Sequence, residues 1–270
     1  MTDFFDRAVT VTWLRTSCVL IQYDGWTAIT DPWFGRTMRG LPVFKKPGIP
    51  LDELPKIDFV FASHLHRDHF DPRAIEKFGH ADLEIVGTRG TAAFCRRHLA
   101  GGSARAVHDL WHWEQVQMGP FRVTGTPAEH TGPLPLEINL VIECGDEFTL
   151  FFGGDARWSD AYGQVAQRFP SIDLALLPVG GTLIFGKRTT LNPSDAVRVC
   201  EVLTPRWALP IHEGGEWLPV PPASWHPGRT KDFEEILLNS PCRTKPLRSE
   251  RGQQRPFMLS AKQDTASNPE

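Results

Sequence analysis

Residues 57–69 of the chain read IDFVFASHLHRDH. The apolar run at the start predicts a buried strand, and the polar set behind it cannot be buried without partners because desolvation is costly. His64 and His66 are alternate residues at the strand end and project the same way. The turn after them swings Asp68 and His69 to another side. This spacing predicts two adjacent cations, with an exposed histidine-rich loop that binds nothing in particular as the alternative.

Three further metal-binding side chains stand just past other apolar runs. His130 follows a predicted strand, and Asp155 and His212 each end one. Because several strand ends can converge on one edge of a sheet, we expect these side chains to join the first four. The remaining histidines lack such a setting, so we predict surface or structural roles for His80, His98, His108, His112 and His226.

The rest of the sequence predicts short elements joined by many turns. Gly and Pro contribute 23 residues each, which favours a loop-rich α/β protein over a helical bundle. Apolar and β-branched runs predict strands at residues 9–14, 18–21, 26–30, 57–62, 104–107, 116–118, 121–124, 138–143, 148–152, 172–177 and 207–210. Caps and stop signals predict helices from Asp71 to Gly79, from Arg89 to Leu99, and from Asn192 to just before Thr204.

Composition excludes several classes of protein. Lys and Arg number 29 against 32 Asp and Glu, so a net charge of −3 gives no general attraction to nucleic acid. The longest uncharged stretch, residues 174–186, is too short to span a bilayer, and acids near Met1 stand where a signal peptide needs basic residues. Five scattered cysteines favour a reducing compartment. We therefore expect a cytoplasmic protein without stable membrane insertion, and a homo-oligomer stays open.

Domain organisation is simple in this interpretation. We predict a single hydrolase domain over residues 1–247, since one sandwich or barrel often reaches this size. The polar, aperiodic tail from residue 248 to residue 270 is expected to be disordered.

Six segments accompany the histidine motif: Asp31-Pro32-Trp33-Phe34, Pro127-Ala128-Glu129-His130, Gly153-Gly154-Asp155, the run from Ile172 to Gly181, Asn192-Pro193-Ser194-Asp195-Ala196 and Pro210-Ile211-His212. With them, residues 9–218 resemble the metallo-β-lactamase superfamily. Within it, they resemble the branch of L-ascorbate-6-phosphate lactonase and N-acyl-phosphatidylethanolamine phospholipase D. The resemblance implies an α/β (α+β) fold, a four-layer αββα sandwich with metal ions at the strand edge between two β-sheets.

The resemblance also implies a ligand set. A first metal ion would be held by His64, His66 and His130. A second would be held by Asp68, His69 and His212, and Asp155 would bridge the two. Nitrogen-rich ligands with a carboxylate fit two divalent ions, zinc first, with manganese or iron as alternatives. A redox di-iron relative would carry Glu where His66 stands, so this position favours hydrolysis.

The surroundings of the expected metal ions depart from the family pattern. Arg157 comes just after the bridging ligand, and its planar guanidinium suits an anionic substrate group, with a structural salt bridge as the alternative. Thr190 lies where the family commonly has a histidine or a Thr-Met pair. We predict substrate contacts for Arg157, Thr190 and Trp217.

The leading hypothesis is metal-dependent hydrolysis of a small, anionic phosphodiester or of a lactone or other ester. Two metal ions would activate a hydroxide, which Asp68 would orient as the catalytic carboxylate. One alternative is a phospholipase D-like phosphodiesterase that acts on lipids, although the sequence shows no amphipathic basic helix. The other alternative is a non-catalytic protein that uses its metal ions to bind a phosphate-bearing ligand.

Overall fold

Two seven-stranded sheets pack face to face in the computed structural model, which describes residues 8–38, 40–131, 136–221 and 223–259. The strands, in chain order, are β1 (Ala8–Arg15), β2 (Cys18–Tyr23), β3 (Trp26–Thr30), β4 (Thr37–Met38), β5 (Leu41–Pro42), β6 (Phe59–Ala62), β7 (Glu84–Thr88), β8 (Ala106–Leu110), β9 (Gln115–Met118), β10 (Phe121–Pro127), β11 (Ile138–Cys144), β12 (Phe148–Phe152), β13 (Leu174–Pro178), β14 (Leu183–Ile184), β15 (Lys187–Arg188), β16 (Trp207–Ile211), β17 (Lys245–Pro246) and β18 (Gln254–Met258). The helices are α1 (Pro72–Phe78), α2 (Thr91–His98), α3 (Ala161–Arg168), α4 (Pro193–Leu203) and α5 (Thr230–Leu238), and a short 3-10 helix spans Leu51–Glu53.

The two sheets have related topologies. The first has the order β18-β1-β2-β3-β6-β7-β8 and the second β17-β16-β13-β12-β11-β10-β9. Each is parallel in one half, through β3-β6-β7-β8 and β17-β16-β13-β12, and antiparallel in the other. As a result, β3 and β6 of the first sheet run in parallel to each other, as do β10, β12 and β16 of the second.

Alternating side chains produce the layers. Val9, Val11 and Trp13 of β1 point to the central core, which the second sheet completes with residues such as Leu140 and Phe152. The other face of the first sheet packs against α1 and α2, and the other face of the second packs against α3, α4 and α5. This arrangement confirms the expected four-layer sandwich.

Local signals define the predicted helices. Asp71 caps α1 by accepting a bond from the amide of Arg73, and Asn192 caps α4 by accepting one from the amide of Asp195. In both helices Pro occupies the first turn, where its missing amide hydrogen costs nothing. α2 begins two residues later than expected because Gly90, at a φ of 97°, precedes it as its cap.

The expected tail requires a correction. Residues 254–258 were predicted to be disordered, but they form β18, which pairs antiparallel with β1 at the edge of the first sheet. The five residues show little alternation of apolar and polar side chains, so the sequence does not indicate a strand here. The strand forms because its backbone pairs with β1. Residues 260–270 of that expected tail lie outside the described residues, as do residues 1–7.

Among the described residues, no helix has the length and apolar character needed to cross a membrane.

Candidate metal centre

The predicted ligands meet at one edge of the sandwich, where parallel strands of both sheets end. β6 leads into the segment with His64, His66, Asp68 and His69. β10, β12 and β16 of the second sheet lead into the remaining three: His130, Asp155 and His212. Strand ends of both sheets therefore bring together side chains that are far apart in the sequence.

One group of imidazoles, which we call the first triad, consists of His64, His66 and His130. One donor atom from each lies within 4.8 Å of the others, and His64 Nε2 is 2.8 Å from His66 Nδ1. His130 Nδ1 donates to the carbonyl oxygen of Thr189 at 2.9 Å, which leaves Nε2 as its lone-pair nitrogen.

The second triad consists of Asp68, His69 and His212, whose donor atoms also lie within 4.8 Å of one another. Asp68 Oδ2 is 3.8 Å from the Nε2 atoms of both histidines. These two Nε2 atoms are buried and have no hydrogen-bond partner among the described residues. Buried polar atoms without partners are costly, so two of them facing one carboxylate fit a bound cation.

Asp155 lies between the two triads. Its Oδ2 is 3.5 Å from His130 Nε2 and 3.7 Å from His69 Nε2, and its Oδ1 is 3.6 Å from His212 Nε2. Thr190 donates to Oδ1 at 2.5 Å and fixes the carboxylate. The geometry thus suits a carboxylate shared by two ions.

A second row of groups orients the ligands, and Asp31 is its centre. This carboxylate accepts bonds from His69 Nδ1 at 2.6 Å and from the amide and hydroxyl of Ser63, each at 2.7 Å. Because the Ser63 hydroxyl donates to Asp31, its oxygen accepts from His64 Nδ1 at 2.9 Å, which leaves His64 Nε2 free for a cation. Donor atoms of Asp31, His64 and His69 also lie within 4.8 Å of one another, but the bonds just described already use both oxygens of Asp31.

Backbone strain accompanies two of these positions. Asp31 and His212 adopt φ values of 36° and 47°, in the left-handed region that side chains other than glycine rarely occupy. Such conformations persist at functional sites where surrounding bonds hold them. The amide of His212 donates to the carbonyl oxygen of Thr16 at 2.8 Å, and the amide of Asp31 to that of Phe61 at 3.0 Å.

Burial and neighbouring charges set the protonation of the metal-free ligands. Burial and the adjacent imidazoles lower the pKa of His64 and His66, that of His66 to about 4. Burial also lowers the pKa of His69, but the Asp31 carboxylate outweighs it and raises that pKa to about 10. Burial raises the pKa of Asp68, yet the imidazoles of His212 and His69 hold it well below the ordinary value. A cation would therefore meet free lone pairs at His64 and His66 and displace a proton from His69.

A buried carboxylate that the sequence did not single out lies behind the first triad. Glu137 accepts a bond from the amide of Asp155 at 2.8 Å. Its two oxygens lie 3.9 Å from His64 Nδ1 and 3.7 Å from His130 Nδ1, and burial raises its pKa to about 7. No local pattern reveals this role, because Glu137 precedes an ordinary apolar strand.

The three predicted substrate contacts lie in different settings. Arg157 is exposed and forms an ion pair of 2.6 Å with Glu129. Thr190 is buried, and its hydroxyl donates a hydrogen bond to Asp155. Trp217 is also buried and packs edge to face against Trp33, at 5.8 Å between ring centroids.

His226, predicted to be a surface or structural residue, lies close to the centre. Its ring is 4.9 Å from that of Trp217, and its nitrogens contact the hydroxyls of Thr182 and Ser224 at 2.9 and 3.0 Å. Burial and the nearby His212 lower its pKa to about 4. The loop that carries it has no periodicity, so its position could not be read from the sequence.

Known proteins resemble this chain in sequence and in fold. Residues 27–212 match the family model described as beta-lactamase superfamily domain. The chain is 26% identical over 226 residues to N-acyl-phosphatidylethanolamine-hydrolyzing phospholipase D 1 of Caenorhabditis elegans, covering 75% of this chain and 63% of that protein. It is 27% identical over 224 residues to the mitochondrial N-acyl-phosphatidylethanolamine-hydrolyzing phospholipase D of Saccharomyces cerevisiae, covering 75% of this chain and 47% of that protein. The chain therefore spans about half to three fifths of the length of these relatives.

A solved structure shows the same fold. A metallo hydrolase from the archaeon Ignicoccus hospitalis superposes with a TM-score of 0.73 at 18% identity, covering 94% of this chain and all of that one. The family model covers well over half of the sequence and ends at the last predicted ligand, His212. The chain belongs to the metallo-β-lactamase superfamily.

Proposed function

We propose that this protein is a metal-dependent hydrolase that cleaves a phosphodiester at a dinuclear centre. The observation that carries the proposal is the position of Asp155, within 3.7 Å of three ligand nitrogens drawn from both triads. Two adjacent ions with one shared carboxylate suit the in-line displacement of an oxygen leaving group. Zinc is the ion we propose, since imidazole and carboxylate ligands suit it, and manganese or iron is the alternative.

The names of relatives support a phosphodiester over a lactone. The nematode and yeast proteins are both named as phospholipases D, which act on phosphodiesters, and the archaeal neighbour is named a metallo hydrolase. The five cysteines are all unpaired, which supports the proposal of a reducing, cytoplasmic setting.

Individual side chains have distinct parts in this proposal. Bound divalent ions lower the pKa of water towards neutrality and polarise the substrate oxygen. Asp68 stays ionised and is less buried than Asp155, so it can accept a hydrogen bond from the attacking water and orient it. Arg157 lies beside the ligand positions His130 and Asp155 and can exchange Glu129 for an anionic substrate group, because an exposed ion pair is weak.

The test measures turnover of bis(p-nitrophenyl) phosphate beside a simple lactone, with zinc-loaded, manganese-loaded and chelator-treated protein. We expect chelator-sensitive cleavage of the phosphodiester. His66→Ala should lose the ion of the first triad and the activity, whereas His98→Ala, an exposed imidazole on α2, should keep both. Retention of two equivalents of metal by His66→Ala would refute the ligand assignment.

Other outcomes separate the alternatives. Preferential cleavage of the lactone would overturn the proposed substrate class. Binding of phosphate esters without turnover of either substrate, in fully metallated protein, would identify a binding protein instead.

A further inference from the structure

Three chain segments lie side by side at the ligand-bearing edge, and we call them the mouth loops: residues 36–46 without 39, residues 182–189, and residues 216–226 without 222. Backbone bridges join Val43 to Trp217 and Leu183 to Trp225. The amide of Phe44 also donates to the carbonyl oxygen of Glu216 at 2.8 Å. The three segments therefore form one continuous surface.

The mouth loops are tied directly to the metal centre. The carbonyl oxygen of Thr189 accepts the bond from His130 Nδ1, and Thr182 contacts His226. Trp217 packs on the ring of His226. A partner that covers these loops would lie over the ligands.

This surface holds most of the exposed apolar side chains. Nine large apolar residues are exposed in the described part of the chain, and five belong to the mouth loops: Phe44, Phe185, Leu218, Val220 and Trp225. Phe185 is 73% exposed at the tip between β14 and β15, with a φ of 46°, and Trp225 is 49% exposed. Exposed apolar side chains gathered in one place mark an interaction surface, because water penalises them.

The charge of the same surface is one-sided. The sequence has no Asp or Glu in residues 32–51, 182–191 and 217–231, although the whole chain is acidic. Within the described residues of the mouth loops, four exposed cations have no ion-pair partner: Arg36, Lys46, Lys187 and Arg188. Glu216, at the start of the third segment, is paired with Arg251, and Glu213, just before that segment, is paired with Lys45.

We propose that the mouth loops dock on the surface of an anionic phospholipid bilayer. Phe185, Trp225 and Leu218 enter the headgroup region, where aromatic and aliphatic side chains leave water, and the cations contact lipid phosphates. The sequence shows no amphipathic basic helix of the kind that binds lipid surfaces. Loop tips supply the same two properties here, apolar area and positive charge.

Charge and shape favour this occupant over others. In a symmetric dimer the patch would face its own copy, so four cations would meet four cations. A nucleic acid or an acidic protein would satisfy the cations but leave Leu218 and Val220 without an apolar partner. The docking residues are not metal ligands, so the interaction does not depend on the proposed hydrolysis.

The test is co-sedimentation of the metal-loaded full chain with vesicles of phosphatidylcholine alone or mixed with phosphatidylserine. We expect binding to the anionic vesicles, weakened by salt. Lys46→Gln/Lys187→Gln/Arg188→Gln should lower partitioning by about a hundredfold, since each cation near an anionic surface contributes about fivefold. Phe185→Ser and Trp225→Ser should each lower it by about tenfold.

Matched controls change the same residue types elsewhere. Arg96→Gln/Arg97→Gln on α2 removes exposed cations. Met258→Ser removes an exposed apolar side chain from β18, the outermost strand of the first sheet, outside the mouth loops. These variants should bind vesicles like the unchanged protein. Unaltered metal content and thermal midpoint show that each variant is folded.

Three results would overturn the docking proposal: equal partitioning to both vesicle types, equal loss in patch and control variants, or a dimer in vesicle-free solution that Phe185→Ser/Trp225→Ser dissociates. Turnover of the soluble phosphodiester reports on the proposed function separately. Vesicle binding without turnover would refute only the proposed hydrolase function. Turnover without vesicle binding would refute only the docking proposal.

Discussion

The two triads share Asp155 but differ in how the protein supports them. In the second triad, Asp31 bonds directly to His69 and the ligand set includes the carboxylate of Asp68. In the first, all three candidate ligands are imidazoles, and Asp31 is linked to His64 through the Ser63 hydroxyl. A carboxylate in direct contact raises the basicity of an imidazole and fixes its tautomer, whereas a hydroxyl relay does so more weakly. The second triad is therefore expected to bind its cation more tightly, and the first to bind it with less proton release.

The largest effect should come from the group that the triads share. Asp155→Ala removes the ligand that we propose both ions share, so we expect both ions to be lost. Activity should fall by more than about a hundredfold, which is the upper end of the loss caused by changing supporting groups alone. Metal analysis and turnover measure this. Asp160→Ala, an exposed acid near the start of α3, is the control. If one triad of Asp155→Ala kept its ion at unchanged affinity, the shared-ligand assignment would be wrong.

An intermediate effect should separate the direct contact from the relay. Asp31→Asn should weaken the ion of the second triad by about 10- to 100-fold, because it removes the charge that faces His69. Ser63→Ala should weaken only the ion of the first triad. Chelator competition measures both affinities.

The same changes made together with His66→Ala give the decisive control. Only the second triad is then complete, so Asp31→Asn should still lower affinity and Ser63→Ala should have no further effect. Equal losses from both changes in this setting would show that the triads are not supported separately.

The smallest effect concerns the stability of the metal-free protein. The pKa of His66 is lowered from 6.5 to about 4, so the unfolded chain binds more protons and stability falls as pH drops through that interval. The pKa of His69 is raised from 6.5 to about 10, so its contribution is complete below pH 6.5 and is lost as pH rises towards 10. The first triad thus limits stability on the acid side and the second on the alkaline side.

Thermal midpoints of chelator-treated protein, measured across this pH range, test whether the two histidines change stability in opposite directions with pH. His66→Gln should reduce the fall of the thermal midpoint at acid pH by a few degrees. His69→Gln should reduce its fall at alkaline pH by a similar amount. The pKa of His64 is lowered like that of His66, and the pKa of His212 is raised like that of His69. Neither single variant should therefore abolish the pH dependence on its side of the curve. A variant that reduced the fall equally on both sides would contradict the separation.

The convergence of the candidate ligands could be predicted from sequence because each of them follows a local signal. An apolar strand followed by His or Asp identifies a strand end, and parallel strands bring such ends to one edge. The central strands and the helices with clear caps, such as α1 and α4, were predicted for the same reason.

The supporting groups could not be predicted because their roles arise from packing between distant segments. Ser63 and Asp31 are 32 positions apart, and Glu137 meets the amide of Asp155 across 18. Asp31 belongs to the segment Asp31-Pro32-Trp33-Phe34, and no sequence pattern indicates that it bonds to His69. The sequence does not indicate α3 and α5 because neither helix begins with a side-chain cap or with Pro in its first turn, and it does not indicate β7 because this strand is short and contains Gly87.

The origin of the ligands in both sheets has a thermodynamic consequence. His64 and His212 are separated by about 150 residues, and each triad takes side chains from both halves of the sandwich. An ion bound to either triad is therefore a reversible cross-link that closes a long loop of chain, and its binding free energy adds to that of folding. When the ions leave, each sheet keeps its own hydrogen bonds, and only the metal-mediated link between the two sheets at this edge is lost.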